Sequence, residues 1–287
     1  MHRVREQIGC GKIVQAGGGK GITIAVLDTG VALHPDLENR ILGFRDFTEG
    51  TESPYDDSGH GTHVCGIACG DGYLSEGRYR GIAPKAGLVV GKVLDERGDG
   101  AIDAMLEGIA WVLQNKDEWG IRILNVSVGV GHLMNEKKEE ILKEQLESAW
   151  KKGLIVVCAA GNNGPALDSL SSIGRSPYLI TVGCHDGNFF KEKKNRCASY
   201  SSRGARFDTI RKPDIVAPGT EIISCNKDFR KNRGKYGNAY ISKSGTSMAT
   251  PIISGALALL LQKHPEYDNE TAKRKLLFSA DDLKEPW

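Results

Sequence analysis

Ser244-Gly245-Thr246-Ser247-Met248-Ala249-Thr250-Pro251 runs straight into the apolar residues 252–261. The small residues suit a tight turn, and the apolar run reads as a buried helix. A helix that opens near Ser247 aims unpaired N–H groups and the positive end of its dipole at that position. Ser247 then has two readings. It caps the helix, the common use of Ser and Thr there, or its hydroxyl is a nucleophile whose product is an oxyanion held at the helix end. The stretch alone leaves both open.

A buried helix needs a sheet to cover. Ile22-Thr23-Ile24-Ala25-Val26-Leu27 is a continuous apolar run of the kind found in strands covered on both faces. Further strands are expected over residues 87–94, 121–128, 154–160, 179–183, 215–217 and 221–224. Helices are expected over 103–115, where apolar positions recur at helical spacing, over the charged stretch 136–151, and over 269–278. Residues 1–20 read as an irregular lead-in, 34–59 as loop, 70–80 as a glycine-rich loop and 226–239 as a hairpin or loop. Alternating buried strands and amphipathic helices imply an α/β fold, a mostly parallel central sheet with helices on both faces. No repeat or linker divides residues 1–287, so one domain is expected.

Composition narrows the function classes. Of 287 residues, 40% are hydrophobic and 26% charged, ordinary values for a soluble globular chain. The net charge of +2 comes from intermixed acids and bases, which excludes nucleic acid or an anionic membrane as the main partner. No apolar run reaches the roughly 18–20 residues of a membrane span. The start, Met1-His2-Arg3-Val4-Arg5-Glu6-Gln7, lacks the apolar core of a signal peptide, so a cytoplasmic location is expected. The seven cysteines are odd in number and lack zinc-ribbon spacing, which reads as buried reduced thiols.

Four polar residues fall where chain elements end or begin. Asp28 ends the first strand, where α/β folds place their sites, although a turn-forming Asp is equally expected there. His60 and His63, in Gly59-His60-Gly61-Thr62-His63-Val64, lie on one helical face. That spacing suits a metal, but the His-Glu-x-x-His signature is absent, so no metal ligand is assigned. One histidine is expected to be exposed and functional, and His63 buried and hydrogen-bonded. Asn162 follows a strand and reads as a turn residue unless an anion forms nearby. Together Asp28, His60, Asn162 and Ser247 supply what acyl transfer requires: a hydroxyl nucleophile, an imidazole base, a carboxylate to orient it and an amide donor.

The segments Val26-Leu27-Asp28-Thr29-Gly30, His60-Gly61-Thr62-His63, Ala160-Gly161-Asn162 and Gly245-Thr246-Ser247-Met248-Ala249-Thr250-Pro251 resemble the subtilisin-like serine proteases, with intracellular bacterial members the nearest in character. The resemblance covers about residues 8–278. It implies the subtilisin-like three-layer fold and a serine endopeptidase with Ser247 as nucleophile, His60 as base, Asp28 as its orienting carboxylate and Asn162 as oxyanion donor. It implies that Ser127-Val128-Gly129 and Ala159-Ala160-Gly161 wall the specificity pocket and that Gly98-Asp99-Gly100 pairs with the substrate backbone. With no acid placed at the pocket base, an apolar or broad preference is expected.

Departures from the family pattern carry expectations of their own. Of the family's calcium ligands only Asp36 has a match, and Asp56 and Asp57 are the other carboxylates available to a weak ion, so no metal or other cofactor is expected. Only 27 residues precede Asp28, so an inhibitory propeptide is expected to be absent from the sequence, leaving a separate proteinaceous inhibitor or a removed propeptide as partners besides the peptide or protein substrate. Position 173 is Ile where the family often has Pro, and the C-terminal end is expected to fall short of the family's last segment. Two other uses of the same residues are a transpeptidase, which requires a cover that excludes water, and a catalytically silent peptide receptor.

Overall fold

Strand β1 (Thr23–Asp28) is buried along its whole length, as its unbroken apolar run requires. The structure, a computed structural model, describes residues 1–10, 17–127, 136–186, 199–205, 209–232 and 235–283. β1 is the third strand of a seven-stranded sheet with β2 (Ile41–Asp46), β3 (Gly87–Lys92), β4 (Ile121–Val126), β5 (Ile155–Ala159), β6 (Ile180–Cys184) and β7 (Ile215–Ala217). The order is β2-β3-β1-β4-β5-β6-β7, and every pairing is parallel. The chain runs to one side of β1 through β2 and β3, then to the other through β4. The strand order therefore reverses at β1, and the crevice beyond its carboxyl end is the position where α/β sheets hold ligands.

Successive side chains of a strand face opposite ways, and β1 uses both. Leu27 packs under Gly108 of the helix Ile102–Asn115. Asp28 faces the helix His60–Cys69. That helix packs against Thr246–Lys263, which lies across β4, β5, β6 and β7, while Ile102–Asn115 packs against Glu136–Lys151. Thr246–Lys263 is buried over most of its length, as its apolar sequence predicts. The expected three-layer α/β arrangement is the one observed.

Three expectations are corrected. Residues 1–20 are not irregular throughout: His2–Gln7 is a helix with Met1 and Val4 buried. Arg3 donates to the Thr220 carbonyl and Arg5 to those of Gly77 and Arg80, which pins this short helix to the body. The 34–59 stretch contains β2, an edge strand whose residues are only partly covered, so its sequence lacks the apolar run that marks the inner strands. Residues 226–239 include the antiparallel pair β9 (Arg230–Asn232) and β10 (Lys235–Gly237). Between β8 (Ile222–Cys225) and β11 (Tyr240–Lys243) a second antiparallel pairing leads the chain to Ser247. Cys10, Cys65, Cys69, Cys158 and Cys225 are buried free thiols, but Cys184 is disulfide-bonded, so the reduced reading does not hold for it. Among the described residues no helix is long and apolar enough to cross a membrane.

The contact between the end of β1 and the helix His60–Cys69 is backbone to backbone. A Cβ placed on Gly61 would lie 2.1 Å from the Gly30 carbonyl oxygen. Gly61→Ala is therefore expected to force the two elements apart at a cost of about 1–3 kcal/mol or more, read as a drop in the urea midpoint of the chain carrying Ser247→Ala to prevent self-digestion; an unchanged midpoint would show that this approach has slack.

Candidate active site

The loop after β1 and the first turn of the His60–Cys69 helix are joined by Asp56. Its Oδ1 accepts from Thr29 Oγ1 (2.9 Å), Ser58 N (3.1 Å) and Gly59 N (2.7 Å), and its Oδ2 from Thr62 N (2.8 Å) and Thr62 Oγ1 (2.6 Å). The carboxylate satisfies amides that the helix start would otherwise leave open. Gly61 N in turn donates to Thr29 Oγ1 at 2.9 Å. Asp57 accepts from the buried Lys92 ammonium at 2.8 Å, and that ammonium also donates to the carbonyls of Thr29 and Leu94.

This frame sets Asp28 against His60. His60 Nδ1 and Asp28 Oδ1 are 2.7 Å apart, and Thr29 N also donates to that oxygen at 2.8 Å. The carboxylate fixes the proton on Nδ1 and leaves Nε2 with a free lone pair. Asp28 is fully buried, while the His60 side chain is 26% exposed, so the imidazole is the member of the pair that solvent or a ligand reaches. Asp28 Oδ2 has no hydrogen-bond partner among the described residues. Burial works against the charge of His60, but the Asp28 carboxylate outweighs it by charge and hydrogen bond and raises the imidazole above its ordinary range.

His63, three residues along, is fully buried. Its Nε2 lies 2.9 Å from the Ile222 carbonyl oxygen and 3.1 Å from that of Ile241. Nε2 is therefore the donor and ties the helix to β8 and β11. Burial, with Lys243 and His60 nearby, lowers its pKa to about 3. The expected division between one accessible and one buried histidine is observed.

At the mouth of the helix Thr246–Lys263, Gly245 adopts φ +151°, a backbone state open to glycine. A Cβ there would sit 3.4 Å from Asn162 Nδ2 and 3.8 Å from Ser247 N, so glycine keeps the space between these two donors clear. Asn162 Oδ1 accepts from Thr246 N (3.0 Å) and Thr246 Oγ1 (3.2 Å). Those bonds fix the amide orientation and leave Nδ2 free to donate. Thr246 Oγ1 also accepts from Gly161 N at 3.2 Å, which locks the end of β5 to the helix. Ser247, half-buried in the first turn, carries one of the amides that no helical carbonyl reaches. No hydrogen bond joins Ser247 and His60 among the described residues; such bonds often close only when substrate is bound.

The remaining sequence candidates are spread along the same sheet edge. Ser127 is buried and accepts from Asn125 Nδ2 at 2.8 Å, while Asn125 Oδ1 accepts from Ser254 of the central helix at 2.8 Å. Val128 and Gly129 lie outside the described residues. Ala159 and Ala160 are buried, and the Gly161 carbonyl accepts from Ser202 N at 2.9 Å. Gly98, Asp99 and Gly100 belong to a loop after β3 that folds on Asp95, whose Oδ1 accepts from Arg97 N and Asp99 N. Sequence reasoning missed Lys92, Asp56 as a structural node and Thr246. Their only sequence signal is a lysine in an apolar strand and a threonine beside the serine.

Comparison with known proteins bears on this arrangement. Residues 19–286 match the Subtilase family, Peptidase_S8. The chain is 42% identical over 278 residues to "Serine protease AprX" of Bacillus subtilis (strain 168), covering 93% of this chain and 63% of that protein, so it spans less than two thirds of that relative's length. It is 36% identical to "Subtilisin BL" of Lederbergia lenta, covering 92% of this chain and 85% of the other. Among solved structures, "Sphericase" superposes with a TM-score of 0.77 at 33% identity, over 91% of this chain and 84% of that one.

The two histidines are expected to respond to acid in opposite senses. A raised His60 contributes stability below about 6.5 and loses it as pH rises through its folded value; a depressed His63 contributes above about 6.5 and loses up to about 1.4 kcal/mol per pH unit as pH falls toward 3. NMR titration is expected to place the His60 imidazole above the ordinary histidine value, and Asp28→Asn to bring it down; an unmoved titration would break the assigned pairing. Urea unfolding at pH 7 and pH 5 is expected to differ less in His63→Gln, which keeps a donor for the two carbonyls, than in the parent chain.

Proposed function

The chain belongs to the subtilase family, and from that premise we propose that it is a serine endopeptidase that cuts peptide bonds through an acyl-enzyme. The observation that carries the proposal is the 2.7 Å bond from His60 Nδ1 to Asp28, set at the same sheet edge as Ser247 and an Asn162 amide with its Nδ2 free.

In this reading Ser247 Oγ attacks the scissile carbonyl carbon while His60 Nε2 takes its proton. Asp28 holds the imidazole tautomer and stabilises the imidazolium. The oxygen of the tetrahedral intermediate becomes an oxyanion held by Asn162 Nδ2 and Ser247 N–H, with the helix dipole adding to the field. Collapse breaks the C–N bond, and His60 gives its proton to the leaving amine. Water, deprotonated by the same imidazole, then releases the acid and restores Ser247. The substrate lies extended along Gly98-Asp99-Gly100, pairing with that segment as an added strand, and Ser127 stands on one wall of the specificity pocket. Ala159, Ala160 and Gly161 shape a pocket without charge, which supports an apolar or broad preference at the residue before the cut.

Calcium has no place in this reading. Asp36 Oδ1 accepts from Leu74 N at 3.0 Å and Oδ2 from Tyr240 OH at 2.7 Å, so donors rather than further oxygen ligands surround it, and the donors on Asp56 and the Lys92 ammonium on Asp57 leave no better seat. A cytoplasmic location belongs to the same proposal. It is supported by the five buried free thiols and opposed by the disulfide at Cys184.

A fluorophosphonate probe is expected to label Ser247, shown by peptide mapping, and to leave Ser247→Ala and His60→Ala unlabelled; labelling elsewhere, or none on folded protein, would sink the assignment and favour a silent peptide receptor. Asn162→Ala is expected to lower kcat about 10²–10³-fold with KM little changed. Product mass spectrometry is expected to find hydrolysed peptides only, and ligated products would move the reading to a transpeptidase.

A further inference from the structure

Lys92 ends β3 and is fully buried, a place that lysine takes only when its charge is paired. Its ammonium has three N–H groups, and three acceptors meet them: the Leu94 carbonyl at 2.7 Å, Asp57 Oδ1 at 2.8 Å and the Thr29 carbonyl at 3.1 Å. Every donor of the group is used. The Tyr55 ring covers it, with the ring centre 5.2 Å from Nζ.

The three acceptors belong to three parts of the site. Thr29 follows Asp28, and its N–H donates to Asp28 Oδ1 at 2.8 Å. Asp57 comes just before the helix that His60 opens. Leu94 leads into the loop that carries Gly98-Asp99-Gly100. Its carbonyl is turned inward to the ammonium, and that sets the plane of the peptide joining it to Asp95. The loop then closes on Asp95. Asp95 N donates to the Asp99 carbonyl at 2.7 Å, Gly98 N to the Asp95 carbonyl at 3.1 Å and Asp99 N to Asp95 Oδ1 at 3.0 Å. At the far end of the loop, a Cβ on Gly100 would lie 2.5 Å from the Val93 carbonyl oxygen. Both ends of the loop therefore rest on the two residues after Lys92. Those two rest on Asp28, whose carbonyl accepts from Val93 N at 2.9 Å and Leu94 N at 3.3 Å.

We propose that Lys92 is a positioning residue for the substrate, a role that rests on the peptidase reading. Its ammonium holds the Gly98-Asp99-Gly100 segment at a fixed offset from Asp28, and so sets where an extended peptide lies relative to His60 and Ser247. Being fully buried, it acts only through the backbone it holds. Methionine in its place keeps the apolar stem but leaves the Leu94 carbonyl without this donor. That carbonyl is then free to turn toward water, and the loop moves with it. A shift of about an ångström in a bound peptide is enough to slow its reaction about a hundredfold. The loss falls on residues further from the cut, since the residue at the cut is seated by its own pocket.

Two p-nitroanilides test this, both with phenylalanine before the cut, one acetylated at that residue and one extended by three alanines. The parent chain is expected to cut the extended one with about a hundredfold higher kcat/KM, because remote binding energy is used in the transition state. In Lys92→Met that advantage is expected to fall at least tenfold, while the short substrate loses less than threefold. The ratio of the two rates does not depend on how much of the variant is folded, so a merely structural role would leave it unmoved. Hydrogen exchange at the amides of residues 95–100 is expected to quicken in the same variant. A ratio within threefold of the parent's, or equal losses on both substrates, overturns the proposal and leaves the peptidase reading standing. No turnover by the folded parent overturns that reading and this role with it. Should Lys92→Met fail to fold, Lys92→Gln, whose amide donor sits one bond short of the ammonium, decides by the same ratio.

Discussion

The site rests on one buried carboxylate. Asp56 accepts from Thr29, Ser58, Gly59 and Thr62, so the end of the central strand and the first turn of a helix share one acceptor. A buried carboxylate is costly unless its lone pairs are met, and here Thr29, just past the end of β1, and the residues that open the helix meet them. The backbone contact between Gly30 and Gly61 follows from that arrangement, as does the reach of His60 to Asp28. The same node sits where the strand order reverses, so a constraint on local geometry becomes a constraint on where a ligand meets the fold.

Electrostatics then divides two histidines one turn apart. His60 shares a hydrogen bond with a buried carboxylate and is driven toward its charged form. His63 is fully buried, donates to two carbonyls and lies near Lys243, and is driven to the neutral one. The first has a free ring nitrogen beside an accessible edge, and the second is a structural strut. Asp28 Oδ2 bears the cost. With no hydrogen-bond partner among the described residues, this buried acceptor costs about 1–3 kcal/mol of stability, and it leaves negative potential next to the imidazole that carries a proton in the proposed acyl transfer.

Much of the fold was legible in the sequence because inner strands of a parallel sheet are apolar on both faces. β1, β3, β4, β5 and β6 announce themselves by such runs, and the central helix by an apolar stretch too long for a strand. The edge strand β2 did not, since half of each edge residue faces solvent and its sequence reads as loop. The helix His2–Gln7 did not either: six residues form no stable helix alone, and it is Arg3, reaching a carbonyl 217 residues away, and Arg5, reaching carbonyls 72 and 75 residues away, that hold it in place.

The sequence by itself determined the layer arrangement and singled out Asp28, His60, Asn162 and Ser247 as candidates, because apolar periodicity and motif order are local properties of the chain. Only the tertiary structure decided which way the Asn162 amide points, that two carbonyls hold His63, and that Lys92 and Asp56 brace the site. Each of these depends on contacts between residues far apart in sequence, and the distance between two side chains is set by packing, which no spacing along the chain encodes.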